Sequence, residues 1–167
     1  YEIIDSTGGD YITADKPIMV AQYTPGGNRC WNTSSIAYGD PEMIYLSPVE
    51  QGSKDALFYA NRKTFIDFNY LNVMVQTTGI PSLRLDGAPF DPANIITHPN
   101  NPAYSVAVAR IFGPAGQHRL TSDSIFNATI YGLGYFESYG YNVGTFVNNL
   151  NSYLQIQNTL NNCVNHG

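Results

Sequence analysis

His98, His118 and His166 are the residues at which proton-transfer chemistry would begin. His118 lies in the block Gly116-Gln117-His118-Arg119-Leu120, where Asp86 could orient it and Ser122 or Ser124 could act as nucleophile. That set would suit acyl transfer, but a triad is defined by geometry, and no GxSxG elbow accompanies these serines. A half-buried His118 bonded to backbone at a hairpin is the expected arrangement. Paired carboxylates would suit glycoside hydrolysis. The candidates are Asp40 with Glu42 and Asp67 with Asp86; Pro41 separates the first pair near a turn, which favours loop capping. Calcium needs several converging oxygens. Asp5, Asp10 and Asp15 are regularly spaced, and Asp86, Asp91 and Asn94 surround a turn, yet neither group has the EF-hand pattern. The histidines lack the spacing of transition-metal ligands. Gly8-Gly9 and Gly26-Gly27 belong to no phosphate loop. The expectation is a protein that is not an enzyme and has no cofactor, with calcium the one ion left open.

Binding chemistry is better represented than catalysis. Residues 126–144 read FNATIYGLGYFESYGYNVG, with Tyr131, Tyr135, Tyr139 and Tyr141 interleaved with four glycines. Glycine permits close chain approach and tyrosine carries an apolar ring with a polar tip, so the segment suits either a binding rim or a strand–turn–strand packed on the domain. Trp31, beside Arg29 in the long segment from Pro25 to Pro41, could stack on a sugar or simply pack. Trp31, Tyr135, Tyr139 and Tyr141 are the candidate contact residues, because aromatics cover much area while keeping a polar handle. Cys30 and Cys163 have no CxxC partner, so a structural zinc site has no support. A disulfide between them would staple the tail to an early loop; two free thiols are the alternative. Asn32-Thr33-Ser34 and Asn127-Ala128-Thr129 fit the N-glycosylation pattern.

These residues need a scaffold, and composition limits its kind. The chain has 167 residues, enough for one domain with a core. Hydrophobic residues make up 43% and charged residues 13%, which is neither a disordered nor a typically charged profile. Net charge is −5 with only 8 Lys+Arg, so a phosphate-binding surface for nucleic acid is excluded. No apolar run is long enough to span a bilayer as a helix. The chain begins at Tyr1 without a signal-peptide pattern, as a processed fragment or excised domain would.

Short β-branched and aromatic runs predict strands at 17–23, 43–46, 56–60, 64–68, 71–77, 82–85, 104–111, 118–121 and 128–131, with a further one at 2–4. Turn residues such as Gly39-Asp40-Pro41, Asp86-Gly87 and Gly113-Pro114-Ala115-Gly116 separate them. Leu71, Val73 and Val75 alternate with Asn72, Met74 and Gln76, as in a strand with one face in a core. In 104–111 both faces are apolar, which predicts a central strand covered on both sides. Phe146–Ile156 carries a weak helical period. The predicted architecture is all-β, an antiparallel sandwich or jelly-roll-like fold with at most one short C-terminal helix. It forms a single domain over 1–167, with 146–167 as a C-terminal extension.

Several blocks occur in a distinctive order: KPIMVAQYTPG at 16–26, DPEMIYLSPVEQ at 40–51, LRLDGAPF at 83–90, and VARIFGPAGQHRL at 108–120, followed by YGLGYFESYGYNVG. Over about residues 11–145 the chain resembles the IgGFc-binding-type N-terminal domain. The resemblance implies an extracellular or cell-surface setting in a large protein, and an adhesive or matrix-interacting role. It does not imply Fc binding by this chain, and it carries over no site residue. The expected partner is an extracellular protein. A carbohydrate-binding module is the alternative, and a polysaccharide-acting hydrolase stands behind both.

Overall fold

The computed structural model describes residues 9–24, 26–27, 38–62 and 65–145. Trp31, Cys30, Cys163, Asp5, His166, the 2–4 strand and the 146–156 helix therefore lie outside the described residues.

The alternation seen at Leu71 is the rule that builds the fold. In β4 (Ile66–Gln76), Asn69, Leu71, Val73 and Val75 are buried, while the residues between them are half-buried or exposed. The two runs read at 64–68 and 71–77 are thus one strand. β9 (Gly116–Gly134) follows the same period over 19 residues, burying Leu120, Phe126, Ala128 and Ile130. It joins the runs read at 118–121 and 128–131 into one element. β8 (Tyr104–Ile111) matches its predicted limits. β1 (Ala21–Tyr23), β2 (Met43–Tyr45), β3 (Ser53–Ala60) and β5 (Arg84–Leu85) fall within or around predicted runs. β6 (Ala88–Pro89), β7 (Ile95–Thr97) and β10 (Glu137–Val143) complete the set.

The fold is all-β and antiparallel, as the sequence predicts. Among the described residues, β1 and β2 form a two-stranded ribbon, and the remaining eight strands form one sheet. β9 is the spine of that sheet. Along its C-terminal arm it pairs with β4 on one side and β10 on the other; along its N-terminal arm it pairs with β5 and β3. β4 passes the ladder on to β8, and β8 to β7.

The sheet curls into an open half-barrel. Tyr59 of β3 lies opposite Gln117, and Tyr141 of β10 lies opposite Ile130. Those partners are thirteen positions apart on β9, or roughly 40 Å on a straight strand. Yet the Tyr59 N–H donates to the Tyr141 hydroxyl at 2.8 Å. β9 must therefore turn back on itself, and the bend falls between Thr121 and Phe126. There the register of β3 jumps, β4 ends opposite Phe126, and β5 begins opposite Thr121. The layers expected of a sandwich are two arms of one sheet.

Between the arms lies the core. Leu71, Val73, Val75, Leu83, Leu120 and Ile130 have no exposure, and Phe58, Phe126 and Ile111 pack with them. Each such aliphatic side chain contributes roughly 1.5–3 kcal/mol relative to exposure. The outer face of β8 departs from expectation. Val108 and Arg110 are exposed, because no second layer covers them among the described residues and β7 spans only three residues. Asp86 and Gly87 have φ of 53° and 83° and form the two-residue hairpin between β5 and β6 that their types favour.

Candidate functional site

The aromatic residues collect at one end of the curled sheet. β9 and β10 meet in a two-residue hairpin, with Gly134 paired to Glu137, so Tyr135 and Phe136 form its tip. Both residues are 53% exposed, and their rings meet edge to face at 4.6 Å. Phe136 has φ of +52° and Phe65, at the start of β4, has φ of +77°. A phenylalanine in this left-handed region costs roughly 1–2 kcal/mol. Phe65 abuts the hairpin, since a Cβ on Gly134 would collide with the Phe65 carbonyl. Glycine is required there to let the β4 backbone come so close.

The surface continues along the outer face. Tyr38 forms a β-bridge with Tyr135, and its ring lies 5.2 Å from that of Phe68. The Arg110 guanidinium sits 4.6 Å above the Phe68 ring and 4.9 Å from that of Phe112. Cation–π contacts on both sides hold that charge in place. Phe112 is 74% exposed. Phe68, Arg110 and Phe112 thus form one cluster around a stacked cation, Tyr38 links it to the Tyr135–Phe136 tip, and the Phe65 backbone abuts that tip. Only Tyr135 of these was singled out from the sequence. The others come from chain segments that the β4–β9 and β4–β8 registers bring together.

Tyr139 and Tyr141 occupy the neighbouring strand, and their rings stack at 6.2 Å. Their hydroxyls are engaged within the fold. Tyr139 accepts from the Asn61 N–H at 2.9 Å and donates to the Asn69 side-chain oxygen. Tyr141 accepts from the Tyr59 N–H and donates to the Tyr59 carbonyl at 2.7 Å. Burial pushes the Tyr139 phenol above its ordinary pKa.

The acyl-transfer candidates are brought together only in part. His118 Nδ1 donates to Asp86 Oδ2 at 2.6 Å, and its ring stacks on Phe58. The partner is thus a carboxylate rather than the backbone expected at a hairpin. Burial pushes the Asp86 carboxyl up, but the bonds from His118 and from the Arg119 N–H outweigh it and hold the pKa low. Ser122 and Ser124 lie at the bend of β9. Ser122 donates to the Gly79 carbonyl at 3.1 Å and Ser124 meets Thr78, so both hydroxyls fasten the bend to the 3-10 turn Thr77–Ser82. His118 Nε2 is buried and has no hydrogen-bond partner among the described residues.

The remaining candidates have local roles. Asp91 Oδ1 accepts from the Ala93 N–H at 2.9 Å and caps a 3-10 turn. Asp10 and Asp15 are exposed. Among the described residues, no three of His, Cys, Asp and Glu converge as a metal site. Asp40 is tied to Ser138 through its backbone. His98 accepts from the N–H groups of Asn100 and Asn101 through Nδ1. The amide of Asn127, within a glycosylation pattern, is committed to the Ser47 and Pro48 carbonyls. A cavity of about 390 Å³ lies beside β5, lined by three prolines, Ile80, Phe90, Ile95 and Arg84. Among the described residues its lining has no acid or histidine, and the Arg84 guanidinium at its wall donates to the Pro81 and Leu83 carbonyls. Among the described residues, no helix is long and apolar enough to cross a membrane.

No curated protein and no solved structure matches the chain. A family model described as "IgGFc binding protein" matches residues 1–132. The match takes in the blocks at 16–26, 40–51, 83–90 and 108–120, and ends within β9, just before the aromatic hairpin. With most of its length covered by that model, the chain belongs to the IgGFc-binding protein family.

Proposed function

We propose that the chain is a non-catalytic interaction domain of a secreted or cell-surface protein, acting in adhesion or in contact with an extracellular matrix. The observation that carries this reading is the pair of phenylalanines in left-handed backbone at one end of the sheet. Phe65 and Phe136 remain 60% and 53% exposed despite a conformation that disfavours them. Strain kept in exposed aromatic side chains points to a contact surface. Tyr135 belongs to that surface directly. Tyr139 and Tyr141 support it by holding β10, and Trp31 is proposed as a further contact from its residue type. Family membership makes immunoglobulin Fc the first partner to test.

The test is interferometry of the folded domain against immobilised Fc and matrix proteins, comparing the native chain with Tyr135→Ser/Phe136→Ser. Loss of an anchor pair should weaken binding at least about tenfold. Unchanged binding by the double variant, or failure of the native domain on every protein, would count against the reading. A carbohydrate-binding module would use the same exposed rings, and a glycan array with and without calcium separates the two.

A further inference from the structure

Among the described residues, the eight-stranded sheet covers parts of its edges by four different means and leaves a stretch of β8 open. On β3, the free edge presents the backbone groups of Asp55, Leu57, Tyr59 and Asn61, and side-chain hydroxyls meet those of all but Leu57. The Ser53 hydroxyl bonds both the N–H and the carbonyl of Asp55. The Tyr141 hydroxyl does the same for Tyr59, and the Tyr139 hydroxyl takes the Asn61 N–H. β6 ends the sheet on the other side with Pro89, which has no N–H to offer. β10 is flanked by residues 38–45, tied through Ser138 to Asp40 and through Asn142 to the Tyr45 carbonyl.

β8 is covered on its outer side only where β7 pairs with Ser105, Val106 and Ala107. The His98 N–H bonds the Tyr104 carbonyl, which fixes the phase: even-numbered residues of β8 turn their backbone groups toward that side. The groups of Arg110 therefore face outward beyond the end of β7, and the same phase carried one residue past β8 turns those of Phe112 outward, with no strand beside either among the described residues. An uncovered edge is a template for another strand. The same stretch carries exposed Val108 and Phe112 and the stacked Arg110. Arg62, held on the Gly113 carbonyl, stands at its end, and neither arginine has an ion-pair partner among the described residues.

The geometry points to β-strand addition at Val108–Phe112: a partner polypeptide pairs its backbone with β8, in line with β7, and sets an acidic residue against Arg110. A second copy of this chain is a poorer occupant, because pairing centred on Arg110 would oppose like charges. This rests on the protein-interaction reading but uses backbone groups that the hairpin aromatics do not supply.

The test uses the whole chain and a capped peptide of alternating valine and glutamate, with a valine–lysine counterpart. In the free protein, the amides of Arg110 and Phe112 should exchange rapidly, and the glutamate peptide should slow both. The lysine peptide should bind about tenfold more weakly, and Arg110→Glu should reverse the preference. Phe112→Pro removes one edge N–H and should abolish binding of both peptides; an unchanged melting temperature shows that the fold is kept. Tyr135→Ser/Phe136→Ser should leave peptide binding intact, so failure of the aromatic surface and failure of the edge give different results. Three outcomes overturn the proposal: slow exchange of the two amides in the monomeric free protein, equal affinity for both peptides, or dimerisation that Phe112→Pro abolishes.

Discussion

One phenolic oxygen joins three strands. Tyr139 of β10 accepts from Asn61, just after β3, and donates to Asn69 of β4, whose amide nitrogen in turn donates to the Asn61 carbonyl at 3.0 Å. Asn69 is 1% exposed, so its side chain has no water to fall back on. Tyr139→Phe strands that buried acceptor and should cost about 1–3 kcal/mol, measured by urea unfolding. At Asp86 the expected effect depends on pH. Its folded-state pKa is depressed, so its contribution is present above the ordinary aspartate value of about 3.9 and is lost as pH falls through the lower folded value. Asp86→Asn tolerates the same left-handed backbone and should lower stability at neutral pH by about 1 kcal/mol, a modest figure because the side chain is half-exposed. The difference in melting temperature between native and variant should shrink as pH is lowered below about 4. A difference that stayed constant to pH 2.5 would place the effect in the turn conformation instead. Residue types alone disclosed that His118 and Asp86 could meet. They could not disclose that Ser122 and Ser124 are used up at the bend, because that follows from where β9 turns.

Strand pairing decides what the aromatic end looks like. Gly134 lets β4 and β9 approach at the point where Phe65 is set beside the Tyr135–Phe136 tip. Gly134→Ala should destabilise the protein by more than about 3 kcal/mol and release the slow-exchanging amides of Ile66–Leu71. If stability stayed within 1 kcal/mol, the close approach would have to be relaxed in solution. The alternation of Leu71, Val73 and Val75 made β4 legible, and β8 was legible to its ends. The sequence predicts two strands where β9 is one, since the polar run Ser122-Asp123-Ser124 interrupts the apolar alternation; that run is a corner inside one strand, with the Ser122 and Ser124 hydroxyls turned to the 3-10 turn beside it. β7 escaped notice because Ile95–Thr97 is too short to show a period. The tyrosine–glycine run located the hairpin and Tyr135. Phe65, Phe68, Arg110 and Phe112 were illegible as a site, since only the cross-strand registers place them beside it.

At the scale of the molecule, β9 runs through both arms of the sheet, so neither arm has a core of its own. Leu120 lies on one arm and Ile130 on the other, and both have zero exposure. Leu120→Ala and Ile130→Ala should each cost about 2–5 kcal/mol, while unfolding followed by tyrosine fluorescence and by far-ultraviolet dichroism keeps a single shared midpoint. Separate midpoints for the two variants would show that the arms unfold independently. The long spine has a further consequence for the order in which the chain is made. When residue 113 leaves the ribosome, the β4–β8, β7–β8 and β5–β6 ladders already have both members, but β3 has none of its strand partners. Phe58 and one side of β4 must wait uncovered until β9 emerges. Synthesis of this protein therefore passes through an interval in which apolar strands are finished and unpaired, and the arrival of one segment, Gly116–Gly134, ends it.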